Sequence, residues 1–306
     1  MHNVDPRNLS SIDRAEFLSL LDNVMTIIKK ERASARIGYN SIDGGLVRVS
    51  SFKELILIGD VHGDLNTLLT ILEMVKFMDG HSILLFLGDY GDRGIMSVEV
   101  YYTLLYLKSR YPDRLIMLKG NHEGPMDLPF YPHDLPVMLE DKFGTHATQI
   151  YLRLRELFDL MYIGVLLDGL MLVLHGGVPI NLNSLDDIAY AERMHPKRSS
   201  NLQEILWNDP REIQGYRPSA RGYGYYFGKD ITEHALDIVG AKLLVRAHEP
   251  CKGYKVNHDG LVLTLFSCKE PYGNDRASYM SISKDEYKVL VDDYSVERLL
   301  QHVNVF

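Results

Sequence analysis

Apolar residues fall along this chain in short dense runs separated by glycine-rich turns. Residues 55–58, 83–87 and 115–118 are continuously apolar over strand length, the pattern of strands buried on both faces. Between them the apolar period becomes helical. Leu65, Leu68, Leu69, Leu72 and Val75 share one face, and so do Val98, Tyr101, Leu104, Leu105 and Leu107 within a stretch from 96 to 109. Strand, helix, strand, helix, strand predicts parallel strands joined by right-handed crossovers. Upstream, Phe17, Leu20, Leu21, Val24, Ile27 and Ile28 predict an amphipathic helix over about 11–30, with Ser10 or Ser11 as its cap.

Downstream the pattern is more broken. Residues 124–136 carry prolines at 125, 129, 132 and 136 and predict an irregular surface loop beside the functional site. A helix over 145–158 precedes a strand over 170–174, and residues 181–226 read as loops with short helices. Strands are expected at 243–245, 261–266, 278–283 and 286–291, the last two as a hairpin around Lys284 and Asp285. Residues 296–306 read as a helix and tail. No repeat or low-complexity linker divides the chain. The expectation is one domain over 51–295, with an N-terminal helical segment (1–50) packed on it and a C-terminal tail (296–306).

Composition narrows the class. The chain has 306 residues, 46% of them apolar and 24% charged, as in ordinary soluble proteins. A formal charge of −8 argues against a general nucleic-acid binder. Cys251 and Cys268 are too few for a disulfide framework and read as reduced thiols. The start of the sequence lacks the pattern of a secretory signal, and the apolar stretches fall short of the roughly 18 residues that a membrane span needs. A cytoplasmic protein with no nucleic-acid or membrane partner is expected.

The chemistry lies where the apolar runs end. The first three stop at Gly59-Asp60-Val61-His62-Gly63, at Gly88-Asp89-Tyr90-Gly91-Asp92-Arg93-Gly94 and at Gly120-Asn121-His122-Glu123. Strand ends are where ligands bind in α/β sheets. Asp60 and His62, two apart on one turn, can face one cation. Asp89 has two oxygens and can bridge two cations, and Asn121 offers a neutral amide oxygen. His175 and His248 each follow an apolar strand, in Leu-His-Gly-Gly and Arg-Ala-His-Glu. A lone residue of this kind is commonly structural, but six at the ends of apolar runs, most of them in glycine turns, look like the pieces of a two-metal hydrolase. Mixed imidazole and oxygen donors suit manganese, iron or zinc better than calcium.

Taken in order, GDVHG, GDYGDRG, GNHE, LHGG, RG and RAHE resemble the metal-dependent serine/threonine protein phosphatases of the phosphoprotein phosphatase family, within the calcineurin-like metallophosphoesterases. Leu206-Trp207-Asn208-Asp209-Pro210 and Phe266-Ser267 match later blocks of that family, and the likeness extends over residues 50–285. It implies an α/β fold with a central β-sandwich of mixed sheets flanked by helices. It also implies two divalent ions, manganese in vitro or iron and zinc. Asp60 and His62 would hold one ion, Asn121, His175 and His248 the other, and Asp89 would bridge them.

The reaction implied is hydrolysis of phosphoserine and phosphothreonine in proteins, by direct attack of a hydroxide held between the two ions. His122 would be the general acid for the leaving alkoxide, aimed by Asp92. Arg93, Arg221, Asn121 and Tyr272 would contact the phosphate, arginine being suited to two-point grip. Asp64 reads as the cap of the first crossover helix and Glu123 as a support for the ligands. A phosphoprotein substrate is implied, with room for a regulatory subunit. The same first three motifs occur in diadenosine polyphosphate hydrolases, and a non-catalytic scaffold is a further alternative. The Trp207–Pro210, Arg221-Gly222 and Arg246–His248 blocks favour the protein phosphatase. Cysteine-based phosphatase chemistry needs an arginine shortly after the cysteine, and neither cysteine has one there. The chain departs from the family at Gly91, where an apolar side chain is usual, across Cys268 to Gly273, and in the proline-rich loop.

Overall fold

The computed structural model describes residues 12–196 and 201–306. Its backbone is a two-sheet sandwich with helices on the outer faces, as the mixed α/β expectation holds. In the smaller sheet, Glu54–Ile58, Ile83–Phe86 and Leu115–Met117 are adjacent and parallel. Ser278–Ser283 pairs antiparallel with the first of these, and Val303–Val305 adds an edge. Helices Leu65–Met74 and Ser97–Arg110 are the crossovers. Every residue of 55–58 is buried, because a strand covered on both faces has no solvent side.

The larger sheet has eight strands, in the spatial order Arg36–Ile37, Asn40–Asp43, Leu46–Arg48, Gly164–Leu167, Met171–Leu174, Leu243–Arg246, Val262–Leu265, Tyr254–Asn257. Alternation divides its side chains between two cores, since successive residues of a strand point to opposite faces. Val165, Leu167, Met171, Val173, Leu243, Val245, Leu263 and Leu265 join the core shared with the smaller sheet. Leu166, Leu172, Leu174, Leu244 and Val262 face a second core with Ile188, Ile205, Leu206 and Leu236. Residues 36–48, grouped above with the N-terminal helical segment, thus supply three strands, and the tail supplies the Val303–Val305 edge. Asp209–Pro210, Tyr216–Pro218 and Tyr225–Phe227 form a small third sheet that carries the loop with Arg221.

Two expectations need correction. Residues 286–291 are not a strand: Lys284–Asp292 is a helix. Ser283 accepts from Glu286 N and the Glu286 carboxylate accepts from Ser283 N, a reciprocal cap that starts a helix where a hairpin was expected. The first helix runs Arg14–Ser34 and is capped by Asp13, which accepts from Glu16 N at 3.0 Å. Ser10 and Ser11, the expected caps, lie outside the described residues. That helix is pinned by a buried charge cluster. Lys108 Nζ donates to Glu31 Oε1 at 2.6 Å and to the carbonyls of Pro112 and Leu115, while Tyr162 OH donates to Glu31 Oε2.

The two sheets meet at one end. Bridges Asp60–Phe266 and Leu118–Tyr162 join them where the parallel strands finish. Among the described residues no helix is long and apolar enough to cross a membrane.

Candidate metal centre and active site

Each donor singled out in the sequence follows the C-terminal end of a strand. Asp60 and His62 follow Glu54–Ile58, Asp89 follows Ile83–Phe86, and Asn121 and His122 follow Leu115–Met117. His175 follows Met171–Leu174 and His248 follows Leu243–Arg246. The sandwich brings all seven to one place, and all are buried.

The turns that deliver them are strained. His62, Asp89, Asp92, Arg93 and His248 have φ of 45°, 55°, 62°, 70° and 66°, a region that non-glycine residues rarely enter. Such strain persists only where the surroundings over-determine it, and it gathers at functional sites. Here Glu123 is one determinant. Its Oε2 accepts from Asp89 N (2.9 Å) and Gly120 N (3.1 Å), and its Oε1 from Tyr90 N (3.1 Å) and Tyr101 OH (2.8 Å). It therefore locks the second and third turns together. Gly120 is required by contact, because a Cβ there would lie 2.2 Å from Asp89 Oδ1. Gly91 also has a reason: a Cβ would meet Tyr101 Cε2 at 2.8 Å, so the departure from the family makes room for the ring that reaches Glu123. Asp64 caps its helix by accepting from Thr67 N, as expected. Its Oδ2 also accepts from Lys269 N and Glu270 N, and so holds the loop that carries Tyr272.

The donors converge with few protons among them. His62 Nδ1 donates to Gly91 O (3.0 Å), which turns Nε2 toward Asp60 Oδ2 at 3.6 Å and Asp89 Oδ2 at 3.5 Å. His175 Nδ1 donates to Leu87 O (2.8 Å), which leaves Nε2 at 3.0 Å from Asn121 Oδ1 and 3.5 Å from Asp89 Oδ1. His248 Nδ1 lies 2.8 Å from Asn121 Oδ1. Asp60 Oδ2 and His248 Nε2 are buried without any hydrogen-bond partner. Burial holds the His62 and His248 imidazoles well below their ordinary range and His175 down to about 3, so all three are neutral, the form that binds metal. Burial also lifts the Asp60 carboxyl to about 7, and lifts Asp89, further burdened by Asp60 and Glu123, well above the carboxylate range.

Acceptors that face acceptors across a buried space are what a cation relieves. The donor atoms of His62, Asp89 and His122 lie within 4.8 Å of one another, and so do those of Asp89, His175 and His248. Asp89 belongs to both groups. The residues present fit two cations that share one carboxylate.

Beside them, His122 Nδ1 is 2.8 Å from Asp92 Oδ2. Asp92 Oδ1 accepts from Asp134 N (2.6 Å) and Leu135 N (2.8 Å). Burial alone would raise the Asp92 carboxyl, but His122 and the Leu135 N–H outweigh it and hold it low. Arg93, Arg221, Asn121, His122 and Tyr272 line one pocket of about 450 Å³. Arg221 Nε donates to Asp209 Oδ2 at 2.8 Å, and the other oxygen of Asp209 takes the buried Arg246 at 3.0 Å. The Tyr272 ring lies 5.5 Å from that of His62.

The proline-rich loop lies beside the site, as expected, but its contacts there were not foreseen. Phe130 packs against His122 with ring centroids 3.8 Å apart and the planes tilted by 36°, Tyr131 O accepts from Arg93 Nη2, and Asp134 accepts from Arg93 N. Trp207 also lines the pocket, 5.7 Å from the His248 ring. The aromatic pair Phe130-Tyr131 among prolines was the available signal, since loops beside a site carry function.

The sequence profile of the calcineurin-like phosphoesterases matches residues 54–252, most of the sandwich and every donor above. The chain belongs to the calcineurin-like phosphoesterase family. Its curated relatives lie in the serine/threonine protein phosphatase group of that family, as the motifs implied. A probable serine/threonine-protein phosphatase of Encephalitozoon cuniculi is 33% identical over 75% of this chain and 50% of its own length. The PP2A-like serine/threonine-protein phosphatase PPG1 of Saccharomyces cerevisiae is 30% identical over 81% of this chain and 71% of its own. The chain thus spans only about half the length of the first relative. Among solved structures, a protein serine/threonine phosphatase from Saccharomyces cerevisiae with similarity to human phosphatase PP5 superposes with a TM-score of 0.74. It is 23% identical and covers 89% of this chain and 84% of that one, a likeness of fold.

Proposed function

We propose that this chain is a metal-dependent protein serine/threonine phosphatase. The observation that carries the reading is Asp89, common to two groups of converging donors, with an Asp–His pair and two arginines on the same pocket. The names of the curated relatives support the substrate class.

In this reading Asp60, His62 and Asp89 hold one divalent ion, and Asp89, Asn121, His175 and His248 hold the other. When bound, the ions supply Lewis-acid polarisation of the phosphate and of the attacking water. The chain's own residues do the rest. Arg93 and Arg221 bind and orient the phosphate oxygens, with Asn121 and Tyr272 at its edge. Asp209 keeps the Arg221 guanidinium in place through Nε. His122 lies within ligand range of Asp89, but Asp92 fixes its Nδ1, and we assign it as the general acid that protonates the leaving serine or threonine oxygen from Nε2. Phe130 covers one face of that ring and excludes water from it.

The test is phosphate release from phosphoserine, phosphothreonine and phosphotyrosine peptides and from a diadenosine polyphosphate, after metal stripping and again after adding Mn²⁺, Fe²⁺ or Zn²⁺. Release from phosphoserine and phosphothreonine peptides should return with metal. Metal-independent release, or a clear preference for the dinucleotide, would refute the reading.

A further inference from the structure

A second cleft, of about 540 Å³, opens on the other side of Arg93, which lines both it and the active-site pocket. One wall is the start of helix Ser97–Arg110 and, two residues before it, Ile95, which is 87% exposed. The other is helix Leu135–Phe143, whose Val137 is 60% exposed. Val98 and Met138, from the same two helices, complete the lining. Exposed aliphatic side chains on both walls of one cleft leave apolar surface that a docked chain would bury.

The charges in this cleft do not balance. Lys142 Nζ donates to Glu99 Oε1 at 2.7 Å, and that pair is self-neutralising. Asp134 accepts from Arg93 N. Asp141 is exposed and has no ion pair among the described residues. The cleft therefore joins aliphatic walls to an uncompensated negative end.

We propose that this cleft docks the substrate residues that flank the phosphorylated one, with an aliphatic side chain between Ile95 and Val137 and a basic side chain at Asp141. The inference rests on the protein phosphatase reading and names the peptide class that the site prefers. The helix sets the spacing. Asp134, which accepts from Arg93 N at the boundary of the two pockets, lies seven residues before Asp141, about 10 Å along a helix axis. That is the reach of about three residues of extended peptide. The preferred substrate carries Arg or Lys about three residues from the phosphoserine, with an aliphatic residue between.

The experiment uses the full chain loaded with Mn²⁺ and phosphoserine peptides with Arg or Glu three residues before or after the phosphoresidue. Phenyl phosphate, too short to reach from the phosphate pocket into the cleft, serves as the control. Wild type should favour Arg over Glu about two- to fivefold in kcat/KM, the size expected of one exposed ion pair, and added salt should shrink the ratio. Asp141→Lys should reverse the preference, and Ile95→Ser should lower kcat/KM for peptides with the aliphatic residue. Neither change should alter turnover of phenyl phosphate. If peptides are hydrolysed but Asp141→Lys leaves the Arg/Glu ratio unchanged, the cleft serves another occupant and the proposal fails alone. If wild type hydrolyses neither peptide nor phenyl phosphate, the phosphatase reading fails and takes this proposal with it.

Discussion

Replacing Asp92 by Asn changes one atom and isolates one role. In the wild type Oδ1 accepts from the backbone N–H groups of Asp134 and Leu135, and Oδ2 lies 2.8 Å from His122 Nδ1. The Asn carbonyl can keep both backbone bonds, so the loop should stay in place. Its NH₂ would then face His122 Nδ1, where a donor cannot support an imidazolium. What is lost is one hydrogen bond between charged groups, about 1.5–3 kcal/mol. At 1.36 kcal/mol per factor of ten, that predicts a fall in kcat of about 10- to 150-fold on a phosphoserine peptide. His122→Asn removes the proposed acid itself and should cost more, about 10²- to 10⁴-fold. The decisive assay compares leaving groups at equal metal content. A serine alkoxide needs a proton to depart, whereas p-nitrophenolate does not, so p-nitrophenyl phosphate should lose little in either variant. An equal loss on both substrates would refute the acid role and make Asp92 a purely structural residue.

Asp89→Asn should sharply lower metal content by elemental analysis; full occupancy would count against a shared carboxylate. Lys108→Ala leaves Glu31 buried beside Tyr162 without its cation, and chemical denaturation should show a loss of about 3–5 kcal/mol. Burial alone would raise the Asp209 carboxyl, but Arg246 and Arg221 outweigh it and hold it below its usual 3.8. A depressed carboxyl stabilises the fold above its unfolded value, and that contribution is lost as pH falls through the folded one. The stability gap between wild type and Asp209→Asn should therefore be constant near neutrality and narrow below pH 3.8, as followed by denaturant titrations across pH.

The parallel strands and the glycine turns were legible because both are local. Residues 55–58 read as a buried strand from their own apolarity, and Asp60 and His62 follow within four residues. The helix Lys284–Asp292 was misread because Tyr287, Val289 and Val291 alternate as in a strand. Ser283 with Glu286 three residues on is a capping signature in the sequence, and Tyr287, Leu290 and Val291 also fit one helical face. Local competition between two periods was settled by the cap. The strands within 36–48 and at Val303–Val305 are two to four residues long, too short to show a period, and exist because neighbours supply their hydrogen bonds. The individual contacts of the site's wall were not legible for another reason. Phe130 on His122 and Tyr131 O on Arg93 are contacts across the loop that no spacing rule encodes.

The electrostatics of the centre make sense only with a charge that the chain does not supply. Asp60 and Asp89 are buried, and among the described residues no lysine or arginine lies within ion-pair distance of either. The nearby guanidiniums are committed elsewhere, Arg221 and Arg246 to Asp209. A buried, unpaired carboxylate costs several kcal/mol, and the two here also repel each other. Left alone, the chain would reduce that cost by protonating them, which is the direction in which burial pushes both. Yet the surroundings do not suit a protonated acid. Asp60 Oδ2 has no hydrogen-bond partner, and the backbone N–H groups of His248 and His122 already donate to Oδ1 of Asp60 and of Asp89. Asp89 is held by its turn and by Glu123, and although His175 and His248 both approach Asn121 Oδ1, neither imidazole comes within hydrogen-bond distance of the Asp60 or Asp89 carboxylate. A fold that fixes acceptors in place and withholds donors carries the cost of the site before the ions arrive, and so presents the ligands already oriented.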